Sequence, residues 1–173
     1  SRKLRIGVDS ANTPVGLFAK DILSSAGCEV YELFSEPDGN FPNHHPDPSI
    51  EENLLDLKDL VKRESLDLGI AFDGDADRLG VLDEEGNLIY SDMILLLLAR
   101  SVIKEHPGSK IIAEVKCSKN LFDDIRNSGG TPIMWKTGHS NIKRKIKEEK
   151  APLAGELSGH IFFSDKHHGY DDA

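Results

Sequence analysis

Leu4-Arg5-Ile6-Gly7-Val8-Asp9, the turn Asn12-Thr13-Pro14, the apolar series Val15, Phe18, Ile22 and Leu23, then Gly27 and Cys28-Glu29-Val30-Tyr31-Glu32-Leu33 decide the fold class of this 173-residue chain. The first run is short, apolar and bounded by turn formers, which predicts a buried strand. The next apolar residues recur at helical spacing, and Gly27 supplies the left-handed position at which helices stop. Residues 28–33 then return to a β pattern. Strand, helix and strand in this order make a βαβ unit.

Outward from that unit, the Pro-, Asn- and His-rich stretch from Ser35 to Ser49 reads as loop. A second helix from about Ile50 to Glu64 carries Leu54, Leu57, Leu60 and Val61, and Leu66 to Phe72 forms a strand ending in the acidic turn Asp73 to Asp77. Strands Arg78–Leu82 and Leu88–Tyr90 flank Glu84-Glu85-Gly86-Asn87, a hairpin signal. Ser91 or Asp92 is placed to cap a long helix reaching about His106, which Pro107-Gly108 stops. Strand Lys110–Val115, helix Lys119–Asn127, strand Pro132–Trp135, helix Ser140–Glu149 and short strands near Leu153 and Ile161–Phe163 follow. The pattern predicts two successive small α/β domains with mixed, mostly parallel sheets flanked by helices, at residues 1–87 and 88–173. The second block ends at Ala173 with no helix to cover its sheet, and residue 1 is Ser, so the chain reads as a piece of something longer.

Composition narrows the function classes. With 38% hydrophobic and 29% charged residues the chain can bury a core. Lys+Arg 21 against Asp+Glu 30 leaves a net charge of -9, which argues against binding nucleic acid through its phosphate backbone. The longest apolar run, Met93 to Ala99, falls far short of the roughly 20 residues a membrane span needs, and a cytoplasmic address is expected. Cys28 and Cys117 have no metal-type spacing and are expected as small buried hydrophobes.

The chemistry concentrates in Asp73-Gly74-Asp75-Ala76-Asp77-Arg78, three carboxylates at alternate positions of a turn after a buried strand, with Gly and Ala between. A hard divalent cation takes oxygen ligands at about 2.1 Å, and small spacers let the backbone fold around it, so magnesium is the expected ligand. A calcium EF-hand loop is a rival, because Glu84 stands at the twelfth position counted from Asp73. It fails at the sixth position, which holds Arg78 where Gly is needed, and on flanks that read as strands. Arg78 is either a planar cation aimed at a phosphate that shares the metal or half of a structural ion pair.

With that turn the sequence resembles the phosphohexomutases, whose metal loop is Asp-Gly-Asp-Gly/Ala-Asp-Arg. Gly155-Glu156-Leu157-Ser158-Gly159-His160 resembles the family's sugar-binding loop, and Lys136-Thr137-Gly138-His139-Ser140 and Val115-Lys116-Cys117 resemble two further active-site segments. Asp38 to Pro48 is similar to the phosphomannomutase/phosphoglucomutase branch and unlike what is expected of phosphoglucosamine mutases. The resemblance implies the second and most of the third of four domains. It also implies magnesium-dependent transfer of phosphate between C1 and C6 of a hexose phosphate, glucose or mannose, through a hexose 1,6-bisphosphate. The serine that is phosphorylated belongs to the first domain and a phosphate anchor to the fourth. Neither is in this chain, so it is expected to be inactive alone and to partner those two domains.

By the same resemblance Asp73, Asp75 and Asp77 hold the metal. Glu156 and Ser158 hold sugar hydroxyls, being two apart and expected on the same side of an extended loop. Lys116 and His160 lie near the reacting oxygen, with the general base unsettled between them. Thr137 and His139 contact substrate or support it, and a helix starting near Ser140 would favour a sugar phosphate at its N-terminus. The pairs His44-His45 and His167-His168 are expected to pack in loops, and Lys143, Arg144, Lys145 and Lys147 to form a solvated face beside the buried Ile142 and Ile146. The alternatives are a non-catalytic sugar-phosphate or metal-binding module, a phosphoglucosamine mutase, and a metal-dependent phosphatase with an aspartate nucleophile.

Overall fold

The computed structural model describes residues 2–164 and the backbone of Asp171–Asp172. Two compact units divide the chain at Ile89 and Tyr90. The expected boundary after Asn87 moves by two residues because Leu88–Ile89 is the return strand of the hairpin and pairs into the first sheet.

In the first unit β1 (Arg5–Asp9), α1 (Ala19–Ser25) and β2 (Glu29–Leu33) form the βαβ unit, with β1 and β2 parallel. Then come α2 (Leu55–Glu64), β3 (Leu68–Phe72), β4 (Leu79–Leu82) and β5 (Leu88–Ile89). The sheet order is β2-β1-β3-β4-β5, parallel from β2 to β3 and antiparallel beyond. On one face α2 buries Leu57, Leu60 and Val61 against Ala71 and Leu82, while Ile6 and Val8 face Val15 and Ala19 on the other. The approach of α2 is paid in side-chain volume: Gly7 and Gly69 are opposite one another in the register, and a Cβ on either would come within 3.1 Å of Leu57.

The expected helical stripe of α1 departs from the sequence reading. Pro14–Leu17 is a 3₁₀ turn, which changes the angular period before α1 begins, so Val15 is buried but Phe18 and Ile22 are exposed. A 3₁₀ turn, Glu51–Leu54, likewise precedes α2.

The second unit contains α3 (Ser91–Glu105), β6 (Lys110–Glu114), α4 (Lys119–Asn127), β7 (Thr131–Trp135), α5 (His139–Glu149), β8 (Leu153–Gly155), β9 (Ile161–Phe163) and β10 (Asp171–Asp172). Its order is β10-β9-β8-β6-β7, with β7, β6 and β8 parallel and the β8–β9 and β9–β10 pairs antiparallel. Alternation along β6 sends Ile111 and Ala113 toward α3 and α4 and Ile112 toward α5, giving helices on both faces. Phe162, fully buried with Ile142 and Ile146 of α5, is worth roughly 1.5–3 kcal/mol of transfer free energy. Both sheets are therefore mixed, each with two parallel and two antiparallel pairings.

Asp92 does not cap α3. The cap position is Tyr90, and the buried Asp92 carboxylate instead accepts from the Ser118 N–H at 2.9 Å, at the start of α4. Among the described residues no helix is long and apolar enough to cross a membrane.

Candidate functional site

In the first unit the site grows from the carboxyl ends of the parallel strands, where open α/β sheets place ligands. Asp73 follows β3 directly and is buried. Its Oδ2 accepts from Arg78 Nε at 2.7 Å and its Oδ1 from the Arg78 N–H at 3.1 Å, while the Ala76 N–H closes the turn onto the Asp73 carbonyl at 3.2 Å. Ala76 takes the left-handed conformation that lets the backbone reverse inside this turn. Asp73, Asp75 and Asp77 each bring one carboxylate oxygen within 4.8 Å of the others, and Asp75 is exposed. An all-oxygen set of converging carboxylates, one anchored by an ion pair and one open to solvent, fits a hard divalent cation.

Arg78 is an ion pair and remains accessible. Nη1 donates to Asp47 Oδ1 at 3.2 Å, and the side chain keeps a quarter of its surface exposed. Burial pushes the Asp47 carboxyl upward, but the Ser49 hydroxyl, the Ser49 N–H and Arg78 together hold it below its ordinary value. The calcium-loop alternative fails on topology. β4 runs antiparallel to β3 and carries Glu84 to the opposite end of the sheet from Asp73.

Asp9 and His44 were not singled out by function in the sequence. Asp9 ends β1, fully buried, and His44 Nε2 lies 2.9 Å from its Oδ2, while His44 Nδ1 lies 3.0 Å from the His45 carbonyl. Both ring nitrogens face acceptors, which favours the protonated ring, and its pKa is raised chiefly by the Asp9 hydrogen bond. The loop residue His44 thus ties the 35–49 segment to the central strand. His167-His168 lies outside the described residues.

In the second unit the segments after β6, β7 and β8 meet at the corresponding strand ends. The 156–160 segment is not extended. The Glu156 N–H donates to the His160 carbonyl at 2.9 Å and the Gly159 N–H to the Glu156 carbonyl at 3.2 Å, a tight turn with Gly159 at positive φ. Glu156 points inward, is 4% exposed, and meets Ser158 at one imidazole nitrogen of His160. Its Oε1 accepts from the Gly138 N–H at 2.7 Å, and its Oε2 lies 3.2 Å from His160 Nδ1, which is 2.9 Å from Ser158 Oγ. Burial raises the Glu156 pKa, but His160, the Gly138 N–H and His139 more than offset it, and the carboxyl sits below its ordinary value.

His139 opens α5, one residue before the expected start, and its ring meets those of His160 at 5.3 Å and Phe162 at 5.0 Å. Thr137 Oγ1 donates to Glu114, and Lys116 Nζ lies 3.4 Å from Glu114 Oε1. Lys116, Thr137, His139, Glu156, Ser158 and His160 are thus gathered in this unit, as Asp73, Asp75, Asp77 and Arg78 are in the first. Glu114 was not anticipated. The available signal was an acid ending the apolar strand Ile111-Ile112-Ala113.

Two surface expectations change in detail. Lys145 is mostly buried, 4.4 Å above the Trp135 ring and 2.7 Å from Glu149, and Lys143 lies 5.8 Å from the Phe162 ring centre, so only part of that basic face is solvated. Burial pushes the Cys117 thiol up to about 12, as expected of an inert buried cysteine, whereas Cys28 is half-buried.

Two family models account for nearly the whole chain: phosphoglucomutase/phosphomannomutase, alpha/beta/alpha domain II, over residues 1–86, and alpha/beta/alpha domain III over residues 90–173. The chain is 52% identical to the phosphomannomutase/phosphoglucomutase of Pseudomonas syringae over 99% of its own length and 37% of that protein. It therefore spans well under half of the curated relatives it matches. A phosphoglucomutase/phosphomannomutase family crystal structure from Burkholderia thailandensis superposes with TM-score 0.96 at 50% identity, covering 99% of this chain and 38% of that one. At 16% identity, the Aspergillus fumigatus N-acetylphosphoglucosamine mutase solved with GlcNAc-6P and magnesium shares the fold at TM-score 0.68, over 94% of this chain and 37% of that one.

Proposed function

Since the chain belongs to the phosphoglucomutase/phosphomannomutase family, as its alpha/beta/alpha domains II and III, we propose that it supplies the metal and sugar sites of a hexose-phosphate mutase. The reaction moves a phosphoryl group between C1 and C6 of glucose or mannose phosphate through a hexose 1,6-bisphosphate. A phosphoserine from a domain outside this chain serves as donor and acceptor. The observation that carries this reading is the convergence of Asp73, Asp75 and Asp77 after β3 in a chain matched to that family.

Phosphoryl transfer is catalysed mainly by positioning and charge neutralisation. Asp73, Asp75 and Asp77 would hold magnesium, which when bound supplies neutralising charge to a phosphoryl oxygen; a fold relative solved with magnesium supports that choice of metal. Arg78, fixed by Asp73 and Asp47, presents its accessible guanidinium edge to an anionic oxygen. In the second unit the remaining lone pairs of Glu156 accept from sugar hydroxyls and the Ser158 hydroxyl accepts from or donates to them, with Thr137 and His139 beside them. A hydroxyl that attacks phosphorus must lose a proton. Lys116 and His160 are the two candidates to take it: His160 Nδ1 lies 3.2 Å from Glu156 Oε2 and 2.9 Å from Ser158 Oγ, and Lys116 is half exposed beside Glu114.

A coupled assay of glucose 6-phosphate formation from glucose 1-phosphate tests the assignment. The full-length protein should turn over with magnesium and this chain alone should not. Robust turnover by the highly purified chain would require a nucleophile inside these residues and would sink the division of labour.

A further inference from the structure

Glu114 is the last residue of β6, the middle of the three parallel strands in its sheet, and its side chain is wholly buried. A carboxylate buried this deeply needs donors, and its donors come from three separate segments. Oε1 accepts from the Leu157 N–H at 2.6 Å, in the turn after β8, and lies 3.4 Å from Lys116 Nζ in the turn after β6. Oε2 accepts from the Thr137 hydroxyl, after β7. Glu156 answers from the other side, its Oε1 taking the Gly138 N–H. Two carboxylates therefore cross-link the 136–138 and 156–160 segments in opposite directions. Neither segment can shift without leaving a buried carboxylate short of a donor, which is costly.

The first unit uses the same device. Asp9 ends β1, the middle of the three parallel strands in its sheet, is fully buried, and collects the Ala11 N–H at 2.9 Å and His44 of the loop after β2. Such a carboxylate at the carboxyl end of a central strand, where neighbouring strands diverge to either side, sits under the ligand crevice of an open α/β sheet.

We propose that Glu114 is a positioning residue for sugar binding, acting through Leu157 and Thr137 to fix the turn that carries Glu156, Ser158 and His160. This rests on the hexose-phosphate reading of that site. Lys116 is more than half exposed at the longer 3.4 Å, so Glu114 acts chiefly on the turn, with His160 in it, and less on Lys116. Its loss loosens the sugar contacts of Glu156 and Ser158, which raises KM, and displaces His160, which lowers kcat as well.

The test is Glu114→Gln in the full-length enzyme, with KM and kcat for glucose 1-phosphate and hydrogen exchange of the peptide covering residues 155–160. Glu114→Asp, which keeps the buried charge but cannot reach both Leu157 and Thr137, serves where Gln does not fold. Expected are a KM about tenfold higher, a lowered kcat, and faster exchange in the 155–160 peptide with the rest of the second unit still protected. A role in stability alone would lower kcat with the folded fraction and leave KM unchanged, and that result overturns the proposal. So does unchanged exchange in the 155–160 peptide. A wild-type enzyme without turnover would defeat the phosphotransfer reading, and the exchange comparison would still decide whether Glu114 orders the turn.

Discussion

Replacing Asp75 by Asn should stabilise the protein in a chelator and destabilise it in magnesium, a reversal that only a cation site explains. Asp75 keeps nearly the same shape and loses one charge. At the 4.8 Å that bounds the carboxylate oxygens of Asp73, Asp75 and Asp77, two unit charges repel by about 0.9 kcal/mol at the dielectric of water. The Asp73 charge is already answered by Arg78 at 2.7 Å, so the repulsion on Asp75 is at most about one such unit, from Asp77. Without metal and at low salt, Asp75→Asn should gain up to about 1 kcal/mol, or at most roughly 4–8 °C in the melting of a unit the size of Ser1–Ile89. Magnesium at about 100 times the wild-type Kd should add about 2.7 kcal/mol to the wild type. If losing one carboxylate weakens binding on the order of a hundredfold, the variant gains only about 0.4 kcal/mol under the same conditions. Thermal melts in EDTA and in a magnesium series, with calorimetric titration of both proteins, give the comparison. Equal melting of the two proteins in EDTA together with an equal magnesium shift would refute the metal site.

Other consequences are as specific. The folded-state pKa of His44 is raised above 6.5, so its contribution to stability is fully present below about pH 6.5 and is lost as pH rises through the folded value. His44→Leu, which strands the buried Asp9, should cost about 3 kcal/mol at pH 6 and flatten that slope in urea denaturation across pH 6–9. Gly155→Ala should destabilise the second unit by about 1–3 kcal/mol, since its Cβ would lie 2.8 Å from the packed Leu95 Cδ2. Adding Leu95→Ala should make the Gly155→Ala increment markedly smaller; an increment that stays the same would place the strain elsewhere.

The elements were legible because burial on a sheet writes a period into the sequence. Lys119–Asn127 appears as a helix with the bounds read from its pattern, and the hairpin around Glu84 to Asn87 joins β4 to β5. The acidic turn was legible as a cluster for a related reason, because three alternate carboxylates right after a strand converge at its carboxyl end. Glu114 and Asp9 were not, because an acid at a strand end looks the same whether it faces water or three converging loops. Only the order β8-β6-β7 and β2-β1-β3 makes those two strands central. Asp92 was misread in the same way: its position fits a cap, yet its environment is set by Ser118, 26 residues further along the chain. The inward turn of Glu156 depends on a hydrogen bond from Gly138, and a spacing of two between Glu156 and Ser158 carries no trace of it.

The most direct measurement follows phosphorus itself. Full-length enzyme with glucose 1-phosphate, a trace of glucose 1,6-bisphosphate and magnesium should, by ³¹P NMR, convert the C1 phosphate resonance into the C6 one. Total phosphate ester should stay constant, and conversion should stop on chelation. Growth of inorganic phosphate at the expense of the ester, or conversion that continues unchanged after chelation, would contradict a magnesium-dependent phosphoryl transfer centred on Asp73, Asp75 and Asp77.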